Sequence, residues 1–412
     1  MRTGTLKELC SLVTDGTHDT PKTLDNGVPF IKAKEITGGV IDFDNCEYIS
    51  YKDHLEVIAR SKPEKGDILF AHIGASLGET ALIKTDIEFS IKNVALFKAN
   101  PAKINNRYLY YHITSPQFQG ELKAKRTGSA QPFVGLDTLR SHVIKYHPDL
   151  TEQARIASIL SAYDDLIENN TKRIKILEEV ARLIYREWFV EFKAPGIKLR
   201  KATPEEKKVT GKLARRLSGG DVFPEGWEIK TLSEIAGEKR RGIDPTEIEP
   251  ETPYLGLEHL PRKSIALDNW GMAKEVQSTK LAFFKNEILF GKIRPYFHKV
   301  GVAPVSGVCS SDIIVIVPKT DNLFGLVLSC VSSKAFVSQA TQSSQGTKMP
   351  RANWDMLLKY PIIFPNEELL NDFNNIYIKQ VELIIALVMK NRNLRQTRDL
   401  LLPKLISGEV AV

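Results

Sequence analysis

Nowhere does this chain of 412 residues hold the ~18–20 consecutive apolar residues that a membrane-spanning helix needs. Its longest candidate, Val381 to Met389, is too short and is flanked by charge. The opening residues MRTGTLKELC lack an apolar signal-peptide core, so a cytoplasmic protein is expected. Cysteine is scarce and scattered: Cys10, Cys46, Cys309 and Cys330 form no CxxC pair, which argues against a zinc cage or a disulfide framework. Short catalytic signatures are missing as well. No phosphate-binding GxxxxGK loop is present, and Thr210-Gly211-Lys212-Leu213 carries only a fragment of one. Neither a GxGxxG nucleotide fingerprint nor the Asn/Asp-Pro-Pro-aromatic tetrapeptide of amino-methyltransferases occurs. His18, His72 and His298 show no metal-ligand spacing. These absences favour a binding protein over an enzyme, with no metal and no cofactor of its own.

The residues present are those of a globular protein, 42% hydrophobic and 26% charged, and the length calls for more than one domain. Charge is unevenly placed. Between Lys193 and Gly220 lie Lys193, Lys198, Arg200, Lys201, Lys207, Lys208, Lys212, Arg215 and Arg216, opposed only by Glu205 and Glu206. That excess equals the net charge of +7 for the whole chain, so the remainder is formally neutral. The stripe fits either attraction to nucleic-acid phosphates or a charge-extended linker.

An internal repeat organises the rest. Gly66-Asp67-Ile68-Leu69-Phe70 matches Asn286-Glu287-Ile288-Leu289-Phe290, and Val28-Pro29-Phe30-Ile31 echoes Thr252-Pro253-Tyr254-Leu255. Gly128-Ser129-Ala130-Gln131-Pro132 aligns with Gly346-Thr347-Lys348-Met349-Pro350, and Asp137-Thr138-Leu139 with Asp355-Met356-Leu357. Each half is a globular domain of short Val/Ile/Phe/Tyr-rich strands and Gly/Asn/Pro turns, with a curved mixed sheet expected and Phe283–Phe290 and Ile313–Val317 as the clearest strands.

Each domain leads into a long helix. After Pro148, Ile156, Leu160, Tyr163, Ile167, Asn170, Ile174, Leu177, Ala181, Ile184 and Trp188 recur at alternating spacings of four and three, a heptad seam. Asp149 or Thr151 is the expected cap and Pro195-Gly196 the expected stop, giving about 39 residues and roughly 58 Å. A second seam runs through Leu370, Phe373, Tyr377, Gln380, Ile384, Leu387, Asn391, Leu394, Arg398 and Leu401, capped by Asn366 and ended at Pro403. Helices of this length need partners outside their own domains, so antiparallel pairing with each other is expected, with Asn170 and Asn391 as polar interruptions that fix register.

With these features together, the chain resembles type I restriction-modification specificity subunits over essentially its full length. GDILF, then GSAQPF ahead of LDTLRSHVIKYHP, are similar to that family's motifs. The stretch EQARIASILSAYDDLIENNTKRIKILEEVARLIYREWFVEF resembles its central conserved region, and LRQTRDLLLPKLISGEV its C-terminal one. The resemblance implies an α/β (α+β) architecture of two target-recognition domains, residues 1–148 and 226–365. It assigns 149–192 and 366–412 to the spacer helices, with 193–225 as a basic linker. It implies that each domain reads half of a bipartite double-stranded DNA target. It implies further that the helices set the spacer and dock two methyltransferase subunits, through which nuclease-translocase subunits join, that S-adenosylmethionine, ATP and Mg bind those partners, and that this chain is not catalytic. The alternative is a stand-alone sequence-specific DNA-binding or regulatory protein of the same build.

Base reading needs hydrogen-bonding side chains on loops, with cations on phosphates. Loops 14–21, 72–80 and 126–133 qualify in the first domain, with Thr17, His18, Lys32, His72, Arg126, Ser129 and Gln131 as candidates. Their counterparts are loops 239–246, 292–299 and 346–351, with Arg240, Arg241, Lys292, Arg294, Tyr296, His298, Lys299, Thr347, Lys348 and Arg351. Arg240-Arg241 fits a solvated turn equally well. The second half departs from the Gly-Ser-x-Gln pattern by carrying Met349 opposite Gln131.

Overall fold

The computed structural model describes residues 1–126, 132–213 and 221–411. The chain divides into two compact units: Met1–Leu166 with Leu394–Val412, and Ile167–Asn393. Both boundaries fall inside long helices, because each helix contributes apolar side chains to both cores.

In the first unit a four-stranded antiparallel sheet has the order Cys10–Asp15, Ala95–Ala99, Ile68–Phe70, Thr80–Leu82. A three-stranded sheet places Val28–Lys32 between Glu47–Ile49 and, in parallel, Ser90–Lys92. Arg2–Thr5 pairs with Val143–Tyr146. The second unit repeats this plan. Ala236–Glu238, Ile313–Pro318, Ile288–Gly291 and Val300–Val302 form the matching four-stranded sheet in the matching order. Pro253–Leu255 runs parallel to Gly307–Cys309, as Val28–Lys32 does to Ser90–Lys92. Glu228–Thr231 pairs with Pro361–Phe364. Even the turn after the first strand recurs: Thr5 and Glu8, and again Thr231 and Glu234, form capping boxes over Leu6–Leu9 and Leu232–Ile235. The architecture is the expected mixed α/β duplication. Phe283 to Phe290, however, is not one strand. Lys280–Phe283 and Ile288–Gly291 belong to different sheets, and Asn286 turns the chain between them with φ 70°.

The central helix, Leu150–Tyr185, starts where Asp149 Oδ1 accepts the Thr151 amide at 2.9 Å. Its seam faces inward: Ile156, Leu160, Asn170, Ile174 and Ala181 are buried, and Tyr163, Ile167, Leu177, Ile184 and Trp188 half-buried. It stops before Pro195-Gly196. A single π-helical turn, Arg186–Val190, drives Phe189 into the core, and Phe192 in the left-handed region (φ 55°) reverses the chain. The C-terminal helix, Glu367–Ser407, is capped by Asn366 Oδ1 on the Leu369 amide at 2.9 Å. Its seam residues Leu370, Phe373, Tyr377, Ile384, Leu387 and Asn391 are buried and Leu394 is half-buried. Pro403 does not end it. An interior proline costs a helix ~3 kcal/mol, but Leu402, Leu405 and Ile406 are buried in the first unit's core around Pro403 and hold the last turn in place.

The two helices are antiparallel within each unit. In the second, Asn170 meets Asn391 while Phe189, later in its chain segment, meets the earlier Phe373 at 4.7 Å between ring centroids. In the first, Asp164 meets Arg398, and Ile156 and Leu160 share a core with Leu402 and Leu405.

The basic stretch, read from the sequence as a linker, is folded over its described part. Leu199–Lys201 pairs with Val222–Pro224 beside a helix, Pro204–Leu213. Phe192, Ala194, Ala202 and Phe223 anchor it in the second unit's core. Arg200 grips Glu206 through two bonds of 2.6 and 2.8 Å, and Lys207 pairs with Asp221. Apolar anchors and charge pairs thus override the repulsion that the composition suggests. Arg215 and Arg216 lie outside the described residues.

Candidate nucleic-acid interface

In the first unit the four-stranded sheet ends on one side at Asp15, Phe70 and Ala95, which are register partners. Loop 72–80 leaves from that end and is stitched to residues 132–134. Gly74 donates its amide to the Pro132 carbonyl at 2.8 Å, Val134 donates to the His72 carbonyl at 2.9 Å, and Ile73 pairs with Phe133. His72 Nδ1–H donates to the Val134 carbonyl at 2.9 Å, so the loops are joined through the side chain too. Burial lowers the His72 pKa, against the pull of the Val134 carbonyl and Asp15, and keeps the ring neutral. Its buried Nε2 has no hydrogen-bond partner among the described residues and lies 3.9 Å from Asp15 Oδ2.

Loop 14–21 reaches the same place. Asp15 is 2% exposed and is held by the Arg60 guanidinium on Oδ1 and by His18 Nε2, 3.2 Å from Oδ2. His18 is exposed, and its Nδ1 lies 2.9 Å from Asn93 Oδ1. Thr17 pairs with Lys92 and accepts the Asp19 amide. Arg126 is exposed at the end of the described stretch 1–126, whereas Ser129 and Gln131 lie outside the described residues. Lys32 sits on the three-stranded sheet in an ion pair with Glu47 at 2.6 Å.

The second unit builds the same junction from different residues. Loop 292–299 follows strand Ile288–Gly291 and is stitched to residues 345–352: Arg294 donates its amide to Pro350, Ala352 donates to Lys292, and Ile293 pairs with Arg351. Arg294 and His298, at φ 48° and 53°, bracket the one-turn helix Pro295–Phe297 and push Tyr296 outward, 50% exposed. Arg294, Thr347, Lys348 and Arg351 are exposed with it, with Arg294 donating to the Lys348 carbonyl at 3.3 Å and Arg351 lying 3.8 Å from Asp312. Other candidates are engaged internally. Lys292 Nζ donates to the Ser311 carbonyl at 2.6 Å, His298 Nε2 lies 2.8 Å from the Ser332 carbonyl, and Lys299 Nζ caps the Leu257 carbonyl. Arg241 makes a two-bond pair with Glu287, in the turn that precedes the strand, and stacks on Phe284. Arg240 is exposed, 3.8 Å from Glu238.

Several residues that complete these junctions are not among the loop candidates of the sequence. Arg60, Lys92 and Asn93 join the first. At the second, Arg262 stacks on Phe297 at 4.1 Å and Lys263 donates its amide to the His298 carbonyl at 2.8 Å. Their signal is the turn Pro261-Arg262-Lys263-Ser264, two adjacent cations in a segment that carries no repeat anchor. Among the described residues no cluster of His, Cys, Asp or Glu is arranged to hold a metal, and no single helix is long and apolar enough to cross a membrane.

Each half thus ends in two stitched loops, which in the second half display Arg294, Lys348 and Arg351, and the duplication is visible in comparison with known proteins. The profile of the type I restriction modification DNA specificity domain matches residues 1–179 and again 224–380. The chain belongs to this family. The MjaIX type I restriction enzyme specificity subunit of Methanocaldococcus jannaschii is 27% identical over 419 residues, covering 96% of this chain and 92% of that protein. The HindI type I restriction enzyme specificity subunit of Haemophilus influenzae is 23% identical over 434 residues, with coverage of 91% and 93%. The fold is that of the crystallised S subunit of a type I restriction-modification system from M. genitalium, with TM-score 0.58, 16% identity, and coverage of 98% and 96%. The two family matches coincide with the two copies of the four-stranded sheet and its loop junction.

Proposed function

We propose that this chain is the DNA sequence-specificity subunit of a type I restriction-modification complex. Each unit reads one half of a bipartite double-stranded target, with His18 and Arg126 of the first and the junction Arg294–Tyr296–Lys348–Arg351 of the second facing the DNA. The paired helices set the spacer between half-sites and dock two methyltransferase subunits, through which nuclease-translocase subunits join. The chain carries no catalytic group; S-adenosylmethionine, ATP and Mg are bound by its partners. The observation that carries this reading is the duplicated junction: one sheet order, used twice, presents two differently composed loop pairs. A two-part target with unlike halves is what such a pair would read.

The test is co-expression with the methyltransferase subunit, followed by mapping of methylated bases across a genome. A split sequence with a fixed gap is expected. Methylation without sequence preference overturns the proposal, and tight specific binding by the isolated chain would favour the stand-alone reading. The spacer claim has its own check, since a heptad inserted into the central helix alone is expected to change the preferred gap or abolish modification.

A further inference from the structure

Glu178 on the central helix is 9% exposed, and three donors converge on its carboxylate Oε1. Ser264 Oγ–H donates at 2.6 Å, the Ile265 amide at 2.7 Å and the Ala266 amide at 3.2 Å. Lys263, in the left-handed region at φ 58°, turns the chain so that these successive amides face one point, as in a backbone anion nest. The nest is occupied by a side chain from another element of the same unit.

The segment that forms the nest is bonded to the DNA-facing hairpin. Val302 donates its amide to Ile265 at 3.0 Å, Ala266 pairs with Val302, and Lys263 donates to His298 at 2.8 Å. Arg262 stacks on Phe297. His298 and Phe297 belong to the loop that presents Arg294 and Tyr296, so Glu178 is two bonded steps from the candidate reading residues. Around it, Ile174, Ile384, Leu387, Val388 and Ala266 form an apolar contact that attracts but has no preferred direction. Charge-assisted hydrogen bonds are directional. Arg392, 3.8 Å over the Trp270 ring, adds a second brace from the C-terminal helix.

We infer that Glu178 is a positioning residue for sequence specificity: its carboxylate fixes the angle between the helix pair and the reading loop of the second domain. The apolar contact holds the two surfaces together, and the clasp decides how they are rotated. This rests on the proposed function above.

The experiment uses the co-expressed complex with the methyltransferase subunit. Arg294→Ala first assigns the half-site read by the second domain. Methylation is then compared on cognate targets, on targets mismatched in each half-site, and on targets with gaps one base pair longer or shorter. Glu178→Ala is expected to cut discrimination at that half-site about tenfold, comparable with one base-pair contact. It should also widen gap tolerance and leave discrimination at the other half-site unchanged. Glu178→Gln keeps one acceptor oxygen and is expected to retain most of the discrimination, and Ser264→Ala, which removes one donor, to lose less than Glu178→Ala. Should Glu178→Ala fail to fold, the comparison rests on Ser264→Ala, which removes the 2.6 Å donor and is expected to lose discrimination several-fold at that half-site alone. Equal loss at both half-sites, or unchanged discrimination and gap tolerance, overturns the inference. A wild-type complex that shows no split target would instead remove the functional proposal on which it rests.

Discussion

Asn170 and Asn391 face each other across the helix pair, the Nδ2–H of the first donating to Oδ1 of the second at 2.8 Å, with each side chain 2% exposed. The free amide group of Asn391 is turned to the Ile167 carbonyl and Thr171 Oγ1, at 3.4 and 3.3 Å. Replacing only Asn170 by leucine strands a buried amide and is expected to cost about 1–3 kcal/mol. The double change to leucine is expected to recover that loss or exceed it, because two apolar groups satisfy each other in an apolar seam. Urea unfolding of the two single variants and the double variant checks this; an additive double variant would mean that the pair does not interact.

Arg398 closes a second polar contact between the helices. Its guanidinium reaches Asp164 Oδ1 at 2.5 Å, and Tyr111 donates its hydroxyl to the other oxygen of that carboxylate at 2.6 Å. Burial and then Asp164 push the Tyr111 phenol above its usual range, so it stays a donor. Arg398→Met is expected to destabilise by roughly 2–4 kcal/mol, since it leaves a half-buried carboxylate without its cation. Tyr111→Phe should cost about 1 kcal/mol alone and a different amount in the Arg398→Met background. Equal costs in the two backgrounds, measured by a thermodynamic cycle, would show that the three groups do not act as one network.

The cations of the second unit are expected to separate into two kinds. Arg294 and Arg351 are exposed at the loop junction, so Arg294→Ala or Arg351→Ala should weaken DNA binding by the complex while leaving the melting temperature unchanged. Removing one cation from a phosphate lowers the slope of log K against log salt by about 1. Arg241 is tied to Glu287, so Arg241→Ala should lower stability by about 1–3 kcal/mol and leave the salt slope in place. Binding titrations at several salt concentrations, paired with thermal unfolding, distinguish the two behaviours.

Acid is expected to weaken the first unit through His112. Its ring is buried on the helix Asn106–Thr114, with Nε2 unpartnered among the described residues, and burial lowers its pKa to about 3. The folded state therefore binds fewer protons than the unfolded state between about pH 3 and pH 6.5. This contribution is fully present above about pH 6.5 and is lost progressively as pH falls, by up to about 1.4 kcal/mol per unit. His112→Leu should flatten the dependence of unfolding free energy on pH in that window. An unchanged slope would mean that the imidazole titrates normally in the fold. Burial lowers His54, His72 and His142 as well, so part of the slope should persist.

What can be read from the residues follows their periodicity. The seam through Ile156, Leu160 and Asn170 is explicit because a helix repeats its buried face at fixed spacing. The repeat anchors Ile68-Leu69-Phe70 and Ile288-Leu289-Phe290 mark equivalent central strands because the duplication keeps the same fully buried apolar triplet in both. Signals that depend on context mislead. Pro403 looks like a stop, but what the local sequence does not show is the core into which Leu405 and Ile406 fold. Lys193 to Gly220 looks like a linker because the anchors within it, Ala194 and Ala202, are small, the large ones, Phe192 and Phe223, lie just outside it, and its charge pairs need folding to form. The capping boxes Thr5-Leu6-Lys7-Glu8 and Thr231-Leu232-Ser233-Glu234 carry a local signature, yet the short helices they open have too few residues to show a period. At the loops, the chemical type of Arg241, Lys292 and Lys299 suggests DNA contact, while their partners Glu287, Ser311 and Leu257 are distant in sequence and visible only in the fold.

The boundaries between the two units, after Leu166 and after Asn393, bear on how such a protein can change its reading. A chimaera joined where globular domain meets helix, near Pro148, would part Ile144 and Leu139 from Ile156 and Leu160, which share one core. A junction between Leu166 and Ile167, matched by one between Asn393 and Leu394, would transfer each core entire. Heritable exchange of recognition halves between relatives is therefore least disruptive when the crossover falls within the helices, a few residues from the Asn170–Asn391 pair.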